Sequence, residues 1–234
     1  MKLISATILF FMLTIPSTKA GDTTSVLHYL VKEPKIQSAH PPTIILLHGV
    51  GSNEEDLFSF ANHLPEKYLV ISARAPIGLG GNSYAWYHLD FSTGKPVFNF
   101  EEEESSRATL IKFISQVKEK YSADANEIYL CGFSQGAIMS YSIALTRPDL
   151  VKGIAVMSGR LLEEIKPFIT SKDKLQKLKV FISHGTKDNV LPVQNAREAA
   201  AFLKTLNINF SYKEYPEEHT ISNEMFSDLL QWLK

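Results

Sequence analysis

Residues 132–136 read Gly132-Phe133-Ser134-Gln135-Gly136, between the short apolar run Ile128-Tyr129-Leu130-Cys131 and a segment of helical period. A serine between two glycines at a strand-to-helix turn suits nucleophilic chemistry. The turn strains its backbone and exposes its hydroxyl above the sheet, and the glycines let strand and helix approach without side-chain clash. The helix that follows turns free N–H groups and its positive dipole end toward the reacting centre, which favours an oxyanion there. The pentapeptide alone is common; the strand before it and the helix after it make catalysis its expected use.

Near neutral pH a serine hydroxyl needs a base to take its proton, and the base needs an acid to orient it. With this kind of turn the chain order is Ser, Asp, His. Downstream of Ser134 the only histidines are His184 and His219. His184 ends an apolar strand and leads into Gly185-Thr186-Lys187-Asp188, a turn that projects Asp188 from the strand end. Tyr215-Pro216-Glu217-Glu218-His219 leaves the last strand, where a loop can carry the imidazole over Ser134. Asp188 is therefore the expected orienting acid and His219 the expected base. His184 is read as a hydrogen-bonded structural histidine, and Asp149, Asp173 and Asp228 as solvated surface carboxylates. An oxyanion needs two donors. One is the main-chain N–H of Gln135; the other is the N–H of Val50, in the strand-ending turn Leu47-His48-Gly49-Val50-Gly51, whose glycines permit unusual backbone angles. Trp86 and Leu191 are read as walls of the substrate site, with simple packing the alternative for each.

These side chains need a scaffold that brings distant loops together. Short β-branched or aromatic runs at 26–31, 43–48, 68–73, 127–132, 153–157, 180–184 and 209–215 alternate with helical stretches at 54–64, 103–121, 135–146, 193–206 and 222–233. Such alternation predicts βαβ units, and strands apolar on both faces predict a mostly parallel, doubly wound sheet with helices on both sides. In the second helix Leu110, Phe113, Ile114 and Val117 form one apolar stripe, preceded by Glu101–Glu104, acids that a helix start favours. No repeat, low-complexity tract or long linker interrupts the series, and the turn-rich stretch 75–94 reads as a long excursion of the kind that carries function.

The 234 residues are 44% hydrophobic and 21% charged, as in ordinary globular chains. Twenty-four basic against twenty-five acidic residues leave a net charge of −1, without the basic excess of a phosphate-backbone binder, so nucleic acid is not expected as a partner. The single cysteine, Cys131, lies in an apolar strand and is expected as a buried thiol. Seven scattered histidines show no zinc-like spacing, so neither a metal nor another cofactor is expected.

With these residues in view, the chain resembles the phospholipase/carboxylesterase family of small α/β-hydrolases, from about Val26 to Trp232. The resemblance rests on Leu47-His48-Gly49-x-Gly51, Arg74-Ala75-Pro76, Ala85-Trp86-Tyr87 and Gly132-Phe133-Ser134-Gln135-Gly136. It continues through Ser158-Gly159, His184-Gly185-x-x-Asp188 and Tyr215-Pro216 before His219. It implies an α/β-hydrolase fold without a large cap domain and a serine carboxylic ester hydrolase acting on small-molecule esters through an acyl-enzyme. Ser134, Asp188 and His219 fall at the triad positions, Val50 and Gln135 at the oxyanion donors. Lysophospholipase, thioesterase and peptidase activities on the same scaffold stay open, as does a catalytically inactive binding protein. A homodimer is raised by the resemblance alone. The sequence departs from the family at Glu217 and Glu218, where glycine is usual, and at Gly51-Ser52-Asn53-Glu54-Glu55, where Gly-Asp-Thr is usual.

The N-terminus is set apart from the fold. Met1-Lys2, the thirteen-residue apolar run 3–15 and Pro16-Ser17-Thr18-Lys19-Ala20 make up the three parts of a cleaved signal peptide, leaving one domain over residues 21–234. The run is too short for the ~20 apolar residues that a membrane span needs, so no stable span is expected. Removing residues 1–20 takes away Lys2 and Lys19 and no acid, lowering the net charge from −1 to −3. An exported protein is the expectation, periplasmic or secreted. Intact mass of the protein from its native host should place the mature N-terminus near Gly21; material that all retains residues 1–20 would refute cleavage.

Overall fold

In the computed structural model, which describes residues 25–90 and 97–234, the apolar runs become strands whose alternate residues face two separate helical layers. The signal predicted over residues 1–20 lies outside the described residues. The chain runs through β1 (Tyr29–Lys32), β2 (Thr43–Leu47), α1 (Glu54–Phe58), β3 (Leu69–Ala73), β4 (Ile77–Gly80), β5 (Ser83–Ala85), β6 (Leu89–Asp90), β7 (Val97–Phe98) and α2 (Phe100–Lys120). It continues with β8 (Ile128–Phe133), α3 (Gln135–Thr146), β9 (Gly153–Met157), α4 (Lys172–Leu175), β10 (Lys179–Gly185), α5 (Gln194–Thr205), β11 (Asn209–Tyr215) and α6 (Asn223–Trp232).

Seven strands form one sheet in the order β1-β3-β2-β8-β9-β10-β11. Only β1 is antiparallel, pairing with β3 from Tyr29 opposite Ala73 to Lys32 opposite Val70. Ile45, Leu47, Ile71, Leu130, Val156 and Ile182 pack with α2, α3 and α5, whereas Ile44, Leu46, Val70, Cys131, Met157 and Phe181 pack with α1 and α6. The two-residue period thus feeds two cores, as a sheet buried on both faces requires. Because β2, β3 and β8 to β11 run the same way, their C-terminal ends share one edge. The loops that follow β2, β8, β10 and β11 meet there, the place where open α/β sheets hold ligands.

Several predicted boundaries move, each for a local reason. The helix expected over 54–64 stops at Phe58, where the Ser59 hydroxyl bonds the Asp56 carbonyl at 2.6 Å, and a 3-10 turn at Ala61–His63 follows. α2 starts at Phe100 instead of 103, because the Asn99 side chain caps the Glu102 N–H. Glu101 to Glu103 therefore occupy its first turn, and Glu103 is fully buried, with the Arg107 guanidinium 3.8 Å away. The first strand covers 29–32 rather than 26–31, its length set by the β3 residues it faces. Two features had no sequence signal. Residues 77–85 form the hairpin β4–β5, and a 3-10 turn at Glu163–Phe168 precedes α4.

Gly136 shows how tightly the layers join. A Cβ there would stand 2.0 Å from the Leu47 carbonyl oxygen and 2.7 Å from that of His48, both main-chain atoms that cannot swing aside. Gly136→Ala should therefore lower unfolding free energy by about 3 kcal/mol or more, beyond an ordinary overpacked methyl. Urea denaturation measures this, and a midpoint equal to that of the parent protein would show that α3 and β2 are not in contact.

Candidate active site

Ser134 follows the last residue of β8 and precedes α3, with φ 53° and ψ −117°. Left-handed backbone costs an L-residue about 1–2 kcal/mol, so the surroundings must impose it. The Ser134 N–H donates to the Met157 carbonyl at 3.0 Å, and the Ser134 carbonyl accepts from the Ile138 N–H at 3.1 Å. Side chains are excluded on both flanks, since a Cβ at Gly132 would lie 2.3 Å from the Gly136 carbonyl oxygen. The serine remains 8% exposed at the sheet edge.

The loop after β11 carries His219 to this point. The Thr186 N–H donates to the Tyr215 carbonyl at 2.7 Å, and the Lys187 N–H to the Glu217 carbonyl at 2.9 Å, so the turn after β10 and the histidine loop are zipped together. Gly185 makes the approach possible: a Cβ would meet the Glu217 and Glu218 carbonyl oxygens at 2.3 and 2.4 Å. His219 Nε2 stands 2.9 Å from Ser134 Oγ, and its Nδ1 stands 2.7 Å from Asp188 Oδ2. With Asp188 a carboxylate, Nδ1 carries the proton and donates to it. The Nε2 lone pair then accepts from the serine O–H, the arrangement in which an imidazole can act as base.

Asp188 is held in place in turn. Its Oδ1 accepts the N–H groups of Val190 at 2.9 Å and Leu191 at 2.8 Å. His184, fully buried, donates from Nε2 to the Leu191 carbonyl at 2.7 Å and lies 3.3 Å from Asp188 Oδ2, so it braces the loop as the sequence implied. Asp149 and Asp173 are exposed, and Asp228 pairs with Lys213 at 2.7 Å and accepts from Tyr215; the carboxylate that bonds His219 is that of Asp188. The Glu217 and Glu218 side chains make no hydrogen bond or ion pair among the described residues. Their main-chain carbonyls are what the loop uses.

The turn after β2 packs directly on the nucleophile, since a Cβ at Gly49 would lie 3.3 Å from Ser134 Cβ. His48 is buried behind it. Its Nε2 accepts the Ala75 N–H at 3.0 Å, which leaves the proton on Nδ1 to bond the Gly49 carbonyl at 2.7 Å. Burial pushes the pKa of this ring below the usual imidazole value, keeping it neutral. Beyond the turn, Arg74 makes a two-pronged bond to buried Glu54, one prong at 2.6 Å, and its guanidinium lies 4.5 Å from the centre of the Tyr84 ring. The Gly51 N–H donates to the Tyr84 carbonyl, fastening the hairpin to the turn. Glu54, one of the residues that depart from the family pattern, is thus an anchor of this loop.

Trp86 does not wall the substrate site; of its two readings the structure supports packing. The residue is fully buried; its indole N–H donates to the His48 carbonyl at 3.0 Å and its own N–H to Gln135 Oε1 at 2.8 Å. A ring without accessible surface offers none to a substrate, so Trp86 is a brace beneath the site. The Gln135 side chain also donates to the Tyr87 carbonyl at 2.7 Å, a clamp that sequence reasoning, attentive to its main-chain N–H, did not anticipate. Leu191 is half-buried and holds Asp188 through its backbone. Exposed Val50, next to Gly49, and exposed Val190, whose N–H bonds Asp188, add apolar surface beside the site. Cys131 is a buried free thiol whose pKa burial raises to about 12, which makes it unreactive. Among the described residues, no group of His, Cys, Asp and Glu is placed to hold a metal ion, and no helix is long and apolar enough to cross a membrane.

Comparison with known proteins bears on the fold and the family. A carboxylesterase from Bacillus cereus superposes with a TM-score of 0.78 at 21% identity, over 90% of this chain and 94% of that one. One from Mesorhizobium loti gives 0.79 at 18% identity, over 92% and 98%. In sequence, a probable carboxylesterase SOBER1-like of Arabidopsis thaliana is 29% identical over 212 residues, covering 82% of this chain and 77% of that protein. An acyl-protein thioesterase 1 of Yarrowia lipolytica is 28% identical over 218 residues, covering 85% and 93%. The sequence profile of the family described as Phospholipase/Carboxylesterase matches residues 29–234, and the chain belongs to that family of serine hydrolases.

Proposed function

We propose that this protein hydrolyses carboxylic esters through an acyl-enzyme on Ser134, with His219 as general base and acid and Asp188 as its orienting carboxylate. The observation that carries the reading is the continuous chain of contacts, Ser134 Oγ to His219 Nε2 at 2.9 Å and His219 Nδ1 to Asp188 Oδ2 at 2.7 Å. In the first half-reaction His219 takes the serine proton as Oγ attacks the ester carbonyl, and the Val50 and Gln135 N–H groups receive the oxyanion. The imidazolium then protonates the departing alcohol. Water, deprotonated by the same histidine, releases the acid and frees Ser134.

Short to medium neutral acyl esters are the proposed substrates. Val50 and Val190 offer apolar surface beside the site, and Glu217 and Glu218, directly before His219, bring negative charge that repels anionic ones. A thioester reading has its own support in the relatives named acyl-protein thioesterase. A panel of acyl esters, thioesters and peptides separates the readings. The export inferred from residues 1–20 is part of the proposal and places the reaction outside the cytoplasm.

Ser134→Ala should lower ester turnover by several powers of ten, leave on the order of 10³-fold rate enhancement over water, and abolish labelling by a fluorophosphonate probe, with the fold intact. A folded variant with parental turnover would end the triad reading. Gln135→Ala keeps the proposed main-chain donor but strands the Trp86 N–H and the Tyr87 carbonyl, so it should cost about 1–3 kcal/mol of stability. Thermal unfolding measures that loss, and an unchanged midpoint would show the clamp to be dispensable.

A further inference from the structure

We propose that His48 is a positioning residue for ester hydrolysis, holding the carbonyl end of the Gly49–Val50 peptide so that the N–H end of the same plane faces the Ser134 adduct. This rests on the proposed function, in which the Val50 N–H receives the oxyanion. The physical basis is planarity. Carbonyl oxygen and N–H of a trans peptide point in opposite directions within one rigid plane, so fixing one aims the other.

Little else fixes this plane. Gly49 has no Cβ to restrict its rotation, and the Val50 side chain is 40% exposed, so packing does not grip it. The Gly49 carbonyl takes two bonds, a short one of 2.7 Å from His48 Nδ1 and a longer one of 3.3 Å from the Ser52 N–H. The ring that gives the short bond cannot turn away, because its Nε2 accepts the Ala75 N–H at 3.0 Å and the residue is fully buried. The His48 carbonyl is held as well, by the Trp86 indole N–H, and the Trp86 N–H is held by the side chain of Gln135, whose main chain is the other proposed donor. One chain of hydrogen bonds thus joins both proposed oxyanion donors. His48 is the member that sets the direction of the first. A neutral imidazole does this with one donor and one acceptor, a pairing that neither an aliphatic side chain nor a lysine offers.

Two substitutions divide the ring's functions. His48→Asn can keep an N–H donor where Nδ1 stands and loses the Ala75 acceptor; His48→Gln keeps an acceptor where Nε2 stands and loses the short bond to Gly49. Steady-state kinetics on a neutral aryl ester, with active sites counted by fluorophosphonate labelling, should show His48→Gln losing ~10–100-fold in kcat with KM within about threefold, the pattern of a group felt only in the transition state. His48→Asn should retain kcat within about fivefold although its unfolding midpoint falls. A merely structural histidine would lower both midpoints and leave kcat per active site alike in the two variants. A folded His48→Gln protein with parental kcat, or a folded His48→Asn protein that loses more than tenfold, overturns the proposal. If His48→Gln does not fold, the same His48→Asn threshold decides. Ser134→Ala in parallel separates the two readings: its retained activity would defeat the triad, whereas its inactivity beside a fully active His48→Gln defeats the role of His48 alone.

Discussion

At Gly136 the first turn of α3 lies so close to the end of β2 that an added methyl carbon would stand 2.0 Å from the Leu47 carbonyl oxygen. Backbone meets backbone there, and the rest of the site follows from that contact. It brings the turn after β2 against the nucleophile, so that Gly49 and Ser134 are neighbours although they are far apart in the chain. It also forces the chain between β8 and α3 into a turn too sharp for ordinary backbone angles, which Ser134 accepts at φ 53°. Gly185 repeats the device on the other side, letting the histidine loop settle on the turn after β10. Three loops are thus registered against one another by atoms that cannot change rotamer, and small displacements of such groups have large effects on rate.

Many of the polar groups in this crowded place satisfy one another, although His184 Nδ1 has no partner among the described residues. Asp188 accepts two N–H groups and an imidazole, His48 uses both ring nitrogens, and Gln135 uses both ends of its amide. Such networks hold their members in one arrangement because any other leaves a buried group unpaired, at about 1–3 kcal/mol each. Preorganised donors and a pre-aimed base need no rearrangement when charge develops, which is how such an arrangement can lower a barrier. The charged residues that depart from the family pattern fit this arrangement in two ways. Glu54 pairs with Arg74 to anchor the turn after β2, while Glu217 and Glu218 contribute carbonyls to the histidine loop and place their carboxylates beside it without direct bonds.

How much of this the sequence determined depends on the range of the interaction. Strand alternation is local, with period two, and the runs at 153–157 and 209–215 and the helix at 135–146 have the bounds that their patterns predicted. The serine turn was legible because its glycines stand two residues to either side of it, and Asp188 and His219 because each lies in the loop after a strand of a parallel sheet, whose C-terminal edge is fixed by topology. Where ends depend on capping by one side chain, as at Ser59 and Asn99, period alone misplaced them. The hairpin at 77–85 left no periodic trace, since its glycine-rich residues are held by pairing with the turn after β2. Only the tertiary structure decided that Trp86 lies beneath the site and that His48 and the Gln135 amide bridge segments tens of residues apart. An aromatic ring or a buried imidazole is used according to which atoms stand within about 3 Å of it, and the sequence of a chain does not state distances across its fold.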